Sequence, residues 1–395
     1  MSKGLSFKSQ KISDSVTLAI TAKAKKMKAE GIDVVSFGAG EPDFNTPKHI
    51  RDAAVAALEK GFTGYTASSG LPELRQAICD KLKADNQLDY KPEHIVVSNG
   101  AKHTLYNVLQ AICNPGDEVI IPVPYWVSYP ELVKLADAVP VFLDTPEENG
   151  FKYDPNRLEK AITNKTKALI INSPNNPTGT VYTAEELNAI AEIAVKHDIY
   201  VISDEIYEKL LYEGKHVSIA SFGEAIKNLT IVVNGLSKAY AMTGWRIGYS
   251  ASNKEIADVI GSIQSHATSN PNTIAQYASI EALKGNQTPI EEMVKAFHER
   301  RDYMVQKINE IEGLSCRKPE GAFYVMMNIS RILGKTIQGV TINSSLDFAG
   351  YLLDHAKVAV IPGSGFGTDQ YVRLSYATSL EIIKEGLTRI EAALK

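Results

Sequence analysis

The chain has 395 residues, of which 44% are hydrophobic and 22% are charged, with a formal net charge of −4. It is long enough for two domains. The richest basic run, the lysines at 23–28, lies in a helical pattern and favours a solvated helix face. We therefore expect no nucleic-acid partner. No apolar run reaches about 18 residues and the N-terminus lacks the apolar core of a secretory signal, so we expect neither a membrane span nor secretion. The three cysteines form no C-x-x-C pair, which argues against disulfides and a zinc site. We therefore expect a cytoplasmic protein.

The middle of the chain alternates between predicted strands and predicted helices. After an initial helix and a short strand, VVSFG, apolar and β-branched runs typical of buried strands occur at 117–122, 139–144, 167–174, 200–207, 230–235 and 245–250. Helical patterns such as 184–198 lie between several of them. This alternation predicts a mainly parallel α/β sheet flanked by helices.

The C-terminal third predicts a second, smaller domain of α+β type. A long charged helical pattern at about 290–312 precedes three strand-like runs, AFYVMMNI, VAVIPG and YVRLSYA, and a final helix. We therefore expect a large domain at 46–288 and a small domain at 289–395, with residues 1–45 forming an N-terminal arm and part of the small domain.

Three polar segments follow predicted strands and indicate a single site. They are SPNNPTG at 173–179, SDEIYE at 203–208 and NGLSKAYAMTGWRIG at 234–248. Because ligands bind at the carboxyl ends of strands in open α/β sheets, we expect these segments to converge.

Lys238 is the candidate nucleophile of this site. A lysine that follows a buried strand is partly desolvated, which lowers the pKa of its amine and makes it nucleophilic, although a lone lysine in this position is usually a surface residue. Ser237 and Arg246 offer a hydroxyl and a guanidinium that together hold a phosphate. An amine beside a phosphate site suits an aldehyde that is tethered through a phosphate.

Asp204 has two interpretations that the sequence leaves open. A carboxylate after an apolar strand is costly unless it is paired, and it either pairs with a protonated ring nitrogen or caps a following helix. Tyr207, three residues on, is placed to bind a ring oxygen, and Asn176 in the Pro/Asn/Gly turn would reach the same oxygen.

Three further features are weaker when each is taken alone. The turn from Ser98 to Lys102 opens a helix and presents backbone N–H groups to an anion. Trp126 either stacks on a flat ring or belongs to the core. Arg373 lies in an otherwise apolar strand and needs a carboxylate partner, for which a substrate carboxylate would serve.

Taken together and in this order, the motifs resemble the class I and II aminotransferases, the fold type I pyridoxal-phosphate enzymes, and are most similar to the bacterial aspartate aminotransferase branch. The resemblance runs through GAGEPDFNTP, GYTASSGLPELR, PYWVSYPE, NSPNNPTG, SDEIYE, SKAYAMTGWRIGY and VRLSYA. It implies a seven-stranded sheet in the large domain and pyridoxal 5'-phosphate as cofactor. The substrates would be amino acids and keto acids.

The resemblance also implies a role for each site residue. Lys238 would form the Schiff base and shuttle the proton in a ping-pong reaction, and Asp204 would pair with the pyridine nitrogen. The remaining cofactor contacts would be Tyr207 and Asn176 at the ring oxygen, Trp126 on the ring face, and Gly100, Ala101, Lys102, Ser237 and Arg246 at the phosphate. Gly40 and Arg373 would hold the substrate carboxylate, with Lys102, Trp126 and Asn176 also lining the substrate site. Tyr65 would reach the phosphate of a neighbouring subunit, which implies a homodimer with shared active sites.

The resemblance favours aspartate and 2-oxoglutarate as substrates. The stretch at 265–273, where the animal and enteric branch carries an arginine for the distal carboxylate, contains none, whereas Lys102 matches a lysine that takes this part in the other bacterial branch. Ser13 stands where some members that accept prephenate carry a basic residue, which argues against prephenate.

Two groups of rivals follow from the same residues. Within the fold, an aminotransferase of aromatic, alanine or prephenate specificity or a carbon–sulfur lyase would use the same lysine, aspartate and arginine. Outside catalysis, a ligand-sensing regulator on this fold is disfavoured because few residues precede the first matched segment. A nicotinamide enzyme is disfavoured because no G-x-G-x-x-G motif follows a strand.

Overall fold

A computed structural model describes residues 4–10, 12–13 and 16–395 of the chain. The helices within these residues are α1 (Val16–Ala29), α2 (Lys48–Glu59), α3 (Pro72–Asn86), α4 (Ala101–Ile112), α5 (Ser128–Leu135), α6 (Pro155–Ala161), α7 (Ala184–His197), α8 (Glu224–Leu229), α9 (Lys254–Ala267), α10 (Thr273–Lys284), α11 (Thr288–Glu310), α12 (Ser345–Tyr351) and α13 (Leu380–Leu394). The strands are β1 (Val35–Ser36), β2 (Ile95–Ser98), β3 (Glu118–Val123), β4 (Val139–Asp144), β5 (Thr166–Asn172), β6 (Tyr200–Asp204), β7 (Thr230–Gly235), β8 (Gly248–Ala251), β9 (Ser315–Cys316), β10 (Tyr324–Asn328), β11 (Thr336–Ile337), β12 (Val340–Thr341), β13 (Val358–Ala359), β14 (Ile361–Pro362) and β15 (Tyr371–Ser375).

The central sheet has seven strands in the order β2-β8-β7-β6-β5-β3-β4. All neighbouring pairs from β7 to β4 are parallel, and β8 runs antiparallel to both β7 and β2. The predicted mainly parallel sheet is therefore confirmed. Its strands are buried on both faces: in β5, Ala168 and Ile170 join one hydrophobic cluster while Leu169 and Ile171 join another. Because both faces are buried, these strands appear in the sequence as continuous apolar runs.

The direction of β8 follows from the short connection that precedes it. Residues 236–247 contain turns and one short 3-10 segment but no α-helix, and a parallel crossover normally needs a helix. The strand predicted at 245–250 begins only at Gly248, because Arg246 has a φ of 58°, which a strand excludes. The reversal places both ends of this connection at the carboxyl edge of β7, as the pair Gly235 and Gly248 shows.

The C-terminal third forms a second sheet with antiparallel pairings in the order β14-β15-β10-β9. Its core includes Phe297 from α11, Phe323 before β10 and Leu387 from α13. The N-terminal segment joins this part of the molecule, because β1 pairs with β13 in parallel. The domain boundaries at 45 and 288 stay a prediction. Among the described residues, no helix combines the length and apolarity that crossing a bilayer requires.

Candidate active site

One cavity of about 670 Å³ opens where the carboxyl edge of the central sheet meets the second sheet. Most of the residues predicted from the sequence lie in its wall: Gly40, Ala101, Lys102, Trp126, Asn176, Asp204, Tyr207, Ser237, Lys238, Arg246 and Arg373. Gly100 and Tyr65 do not line it. Segments far apart in the sequence thus meet in one space, as strand ends of an α/β sheet do.

Lys238 projects its amine into this cavity from the connection that follows β7. Its Nζ donates a hydrogen bond of 2.5 Å to the carbonyl oxygen of Gly40 and lies 5.8 Å from the ring centroids of Tyr207 and Phe323. Desolvation lowers the pKa of Lys238 to about 8, with Arg373 and Arg246 acting in the same direction and Glu41 opposing them. A substantial fraction of the amine is therefore neutral and able to accept a proton near physiological pH.

Asp204 ends β6 with its carboxylate fully enclosed. Its Oδ2 accepts a hydrogen bond of 2.7 Å from the hydroxyl of Tyr129, and its Oδ1 accepts one of 3.2 Å from the backbone N–H of Ile206. Residues 206–209 form a turn, so Asp204 does not cap a helix. Desolvation raises the pKa of Asp204 to about 6, although the hydrogen bonds from Tyr129 and Ile206 and the charge of Lys238 oppose it. No basic side chain in the described part of the chain forms a direct ion pair with the carboxylate.

A chain of polar contacts joins Asp204 to Arg373 across the cavity wall. The side-chain amide of Asn172 donates to the carbonyl oxygen of Asp204 at 2.9 Å, and its oxygen accepts from the backbone N–H of Asn176 at 2.8 Å. The oxygen of Asn176 in turn accepts a 2.9 Å hydrogen bond from Arg373 Nη1. The hydroxyl of Tyr207 lies 3.1 Å from that of Tyr324. These contacts fix the orientation of the polar groups around the amine of Lys238.

The N-terminus of α4 forms an anion cradle with Arg246. Gly100 caps this helix with a φ of 89° and no side-chain hydrogen bond, so the first backbone N–H groups of the helix stay free to bind a ligand. A Cβ on Gly100 would lie 2.3 Å from Arg246 Nη2, which shows how closely the guanidinium approaches the turn. Ser237 and Lys102 line the same region. The dipole of α4, the guanidinium of Arg246 and the hydroxyl of Ser237 together suit a phosphate.

Lys102, at the start of α4, and Trp126, two residues before α5, lie together in the cavity wall. The ammonium of Lys102 is 5.0 Å from the ring centroid of Trp126, a cation–π distance, and Trp126 packs edge-on against Tyr129 at 5.3 Å. Desolvation and the neighbouring Arg246 lower the pKa of Lys102. Trp126 is only partly buried and lines the cavity.

Arg373 on β15 supplies a buried cation from the second sheet. Its side chain is 3% exposed, its guanidinium lies over the rings of Tyr324 at 4.3 Å and Phe366 at 5.0 Å, and its Nε has no hydrogen-bond partner. No carboxylate of the described residues pairs with it. A buried, unpaired guanidinium whose donors are not all satisfied is a site for an incoming carboxylate.

Four predicted features lie outside the cavity. Gly100 lies behind the cradle that it shapes. Tyr65 is 91% exposed in the segment between α2 and α3. The backbone N–H of Ser13 donates to Glu131 Oε2 at 3.1 Å. The stretch at 265–273, which lacks an arginine, contributes no residue to the cavity.

Among the cavity residues that the sequence did not indicate, three make polar contacts that shape the site. Tyr129, Asn172 and Tyr324 supply the hydrogen bonds described above. Tyr129 lies three residues after Trp126 in the same motif, and Asn172 ends a predicted strand. Both could therefore have been identified as candidate site residues from the sequence. Tyr324 lies in an apolar strand of the C-terminal third, and nothing in its local pattern sets it apart from a core aromatic residue.

Comparisons with known proteins agree on one family. The family model "Aminotransferase class I and II" matches residues 32–390. The chain is 55% identical to the aspartate aminotransferase of Bacillus sp. (strain YM-2), over 97% of both chains. It is 48% identical to a probable aspartate/prephenate aminotransferase of Aquifex aeolicus, over the full length of both. Among solved structures, it superposes with a TM-score of 0.94 on the aspartate aminotransferase of Thermus thermophilus with maleate, at 46% identity, covering 99% of this chain and all of the other.

Proposed function

The chain belongs to the class I and II aminotransferases, and we propose that it transfers the amino group of aspartate to 2-oxoglutarate with pyridoxal 5'-phosphate as cofactor. The observation that carries the proposal is the position of the Lys238 amine in one cavity with the carboxylate of Asp204 and the guanidinium of Arg373, neither of which forms a direct ion pair with the described residues. A cationic ring and an anionic substrate would supply the two ion-pair partners. The 55% identity to a named aspartate aminotransferase supports the substrate.

The residues of the cavity fit pyridoxal phosphate. Asp204 would hold the ring nitrogen in its protonated form, Tyr207 and Asn176 would bind the ring oxygen, and Trp126 would cover the ring face. The phosphate would be held by Ser237, Arg246 and the turn of Gly100, Ala101 and Lys102. The fit rests on the free N-terminus of α4, on the close approach of Arg246 to Gly100 and on the chemistry of these donors. When bound, the cofactor accepts the electron pair that the substrate Cα releases.

Lys238 would bind the cofactor as its Schiff-base lysine and move the proton of the reaction. Its amine, with a pKa of about 8, is basic enough to take a proton from the substrate Cα and acidic enough to return it. The 2.5 Å hydrogen bond to Gly40 holds the amine on the side of the cavity where Arg373 would orient the substrate. Each half-reaction would release its product before the next substrate binds, which gives ping-pong kinetics.

The two carboxylates of the substrate would bind at opposite walls. Arg373 would hold the α-carboxylate through paired N–H donors, near Gly38 and Gly40. Lys102 would hold the distal carboxylate, because no arginine occupies 265–273 and its ammonium lies in the cavity wall. The Thermus thermophilus relative was solved with maleate, and because maleate is a dicarboxylate, that structure supports this preference. Ser13 brings no cation that would favour prephenate.

We further propose that the protein acts as a homodimer in the cytoplasm. Tyr65 is too exposed for a core role and would reach the cofactor phosphate of the partner subunit, so that the two active sites are shared. The three cysteines are free thiols, which suits a reducing compartment. Sedimentation tests the homodimer. We expect the purified protein to sediment as a dimer and to lose activity when it is converted to monomers.

The decisive experiment compares Lys238→Ala with Lys254→Ala, which changes an exposed lysine that pairs with Asp258. We expect Lys238→Ala to fold, to lose the visible absorption of the bound cofactor and to lose transamination of aspartate and 2-oxoglutarate by about 10⁴-fold or more, since it lacks both nucleophile and proton carrier. Lys254→Ala should retain both properties. Full activity in Lys238→Ala would contradict the proposal. Release of pyruvate and ammonia from a thiol-containing amino acid, without oxaloacetate from aspartate, would instead indicate the lyase.

A further inference from the structure

Helix α1 carries four lysines that divide into two pairs. Lys23 forms an ion pair with Asp354 at 3.2 Å and Lys26 with Glu30 at 3.9 Å. Lys25 and Lys28 line the mouth of the active-site cavity and form no ion pair or hydrogen bond with the described residues. The run for which the sequence favoured a solvated helix face therefore has two lysines in ion pairs and two without an ion pair among the described residues.

The free pair lies on one face of the helix by its spacing. Thr21, Ala24, Lys25 and Lys28 follow the three- and four-residue repeat of a single helical face, and all four line the cavity. Two like charges three residues apart disfavour the helix slightly, and here no carboxylate offsets them. Folding thus gains nothing from these two ammonium groups, whereas the paired Lys23 and Lys26 are each balanced by an acid.

The cavity as a whole is strongly cationic. Its lining includes two acidic side chains, Glu41 and Asp204, and six basic ones, Lys25, Lys28, Lys102, Lys238, Arg246 and Arg373. The protein itself has a net charge of −4, so this excess is local. A cleft lined by one sign of charge concentrates the field at its entrance and raises the local concentration of oppositely charged ligands.

We propose that Lys25 and Lys28, here named the basic rim, select doubly anionic substrates by attracting them to the cavity before they reach Arg373 and Lys102. The inference rests on the proposed function, since it concerns capture of its substrates. Both ammonium groups are exposed and hydrated, so they act through the field at the entrance and not through a fixed contact. The basic rim therefore governs kcat/KM at low salt and leaves kcat unchanged.

The two proposed substrates differ in a way that the basic rim would sense. 2-Oxoglutarate has two carboxylates and no cation, whereas aspartate has two carboxylates and one ammonium. In ping-pong kinetics the kcat/KM of each substrate reports its own half-reaction and is measured separately. An electrostatic effect must therefore be larger for 2-oxoglutarate than for aspartate in the same enzyme.

The test compares the double variant Lys25→Glu/Lys28→Glu with Lys23→Glu/Lys26→Glu in the holoenzyme. Both change the net charge of the protein equally and both lie on α1, but only the first alters the basic rim. We expect the first to lower kcat/KM for 2-oxoglutarate by about tenfold at low ionic strength, with a smaller decrease for aspartate. The kcat/KM of Lys25→Gln/Lys28→Gln for 2-oxoglutarate should lie between the values of this variant and of the wild type. The differences should shrink at about 0.5 M salt, where charges are screened within a few ångströms.

Each outcome decides the matter. Equal values for the rim variant and its control would overturn the basic rim, as would a decrease that salt does not reduce or that is the same for both substrates. If the wild type does not convert aspartate and 2-oxoglutarate at all, the proposed function fails. That result is distinct from a wild type that is active while the rim variants behave like their controls.

Discussion

Asp204, the last residue of β6, and Glu208, four residues further on, are both buried carboxylates, yet their pKa values move in opposite directions. Desolvation raises the pKa of Asp204 to about 6. Desolvation acts on Glu208 in the same sense, but attraction to Lys81 and His216 and hydrogen bonds from Lys81 and Asn86 outweigh it and lower the pKa to about 2. Both carboxylates are buried, so the two pKa values differ because of the partners that the chain provides to each.

Glu208 has its counter-charge within the fold. It forms an ion pair with Lys81 of α3 and accepts hydrogen bonds of 2.8 Å from the amides of Asn86 and Asn234. Asn234 lies in β7, four residues before Lys238, so Glu208 ties the connection carrying Tyr207 to the strand that leads to the lysine. A buried charge with an ion-pair partner holds structure in place, whereas the carboxylate of Asp204, which has no direct ion pair among the described residues, favours a cationic ligand.

The two buried arginines show the same contrast. Arg301 pairs with Asp302 at 2.7 Å and donates to the carbonyl oxygen of Pro319 at 2.9 Å. Arg373 has aromatic faces and the amide oxygen of Asn176 around it but no carboxylate among the described residues. Arg301 thus completes its charge pairing within the chain, and Arg373 would complete it with substrate.

The largest expected effect comes from removing the counter-charge of Glu208. Lys81→Met would leave a buried carboxylate without its cation, so we expect the free energy of unfolding to fall by about 3–5 kcal/mol. Urea unfolding followed by circular dichroism would measure the change. Adding Glu208→Gln to Lys81→Met should restore part of the loss, because the unpaired charge disappears.

A neighbouring lysine supplies the matched control. Lys83 lies two residues further along α3, and its exposed side chain pairs with the exposed Asp89 at 3.6 Å. Lys83→Met should change the free energy of unfolding by about 1 kcal/mol or less. If Lys81→Met costs no more than Lys83→Met, Glu208 is not held by its ion pair and the contrast with Asp204 is lost.

The sequence predicts the site better than it predicts what holds the site together. Lys238, Asp204 and Arg373 stand out because a charged residue in or after an apolar strand is costly, and that cost is visible in the local pattern. Lys81 and Glu208 lie far apart in the chain, and each resembles an ordinary surface residue of a helix or turn. Their pairing depends on how α3 packs against the sheet, which no local pattern encodes.

The same limit applies to the fold. The parallel strands were predictable from continuous apolar runs, whereas the reversal of β8 depends on a connection too short for a crossover helix. Tyr129 was named in no prediction although its motif was, because a helical tyrosine is as often a core residue as a hydrogen-bond donor. Its role follows only from the 2.7 Å contact with Asp204.

The second effect is a pH dependence of stability due to Asp204. The folded protein, freed of its cofactor, keeps the proton of Asp204 up to about pH 6, whereas the unfolded chain releases it near the ordinary value of 3.8. Between these values folding takes up a proton, so the free energy of unfolding decreases as pH rises, by about 3 kcal/mol in total. Asp204→Asn removes this contribution. The difference in free energy of unfolding between wild type and Asp204→Asn should therefore shift by this amount across pH 4–7, and a constant difference would refute the raised pKa.

The smallest effect isolates the one side chain that donates a hydrogen bond to the carboxylate of Asp204 among the described residues. Tyr129→Phe removes the 2.7 Å hydrogen bond to Oδ2 and nothing else of that size, and a hydrogen bond to a charged group contributes about 1.5 kcal/mol or more. The pKa of Asp204 should rise further, so the decrease in stability described above should extend to a pH about one unit higher. Tyr351→Phe removes a buried hydroxyl that donates to Ala393 in the C-terminal third, and should leave the position of the decrease unchanged. An unshifted decrease in Tyr129→Phe would mean that the hydrogen bond from Tyr129 does not stabilise the ionised form of Asp204 and would refute its part in setting this pKa.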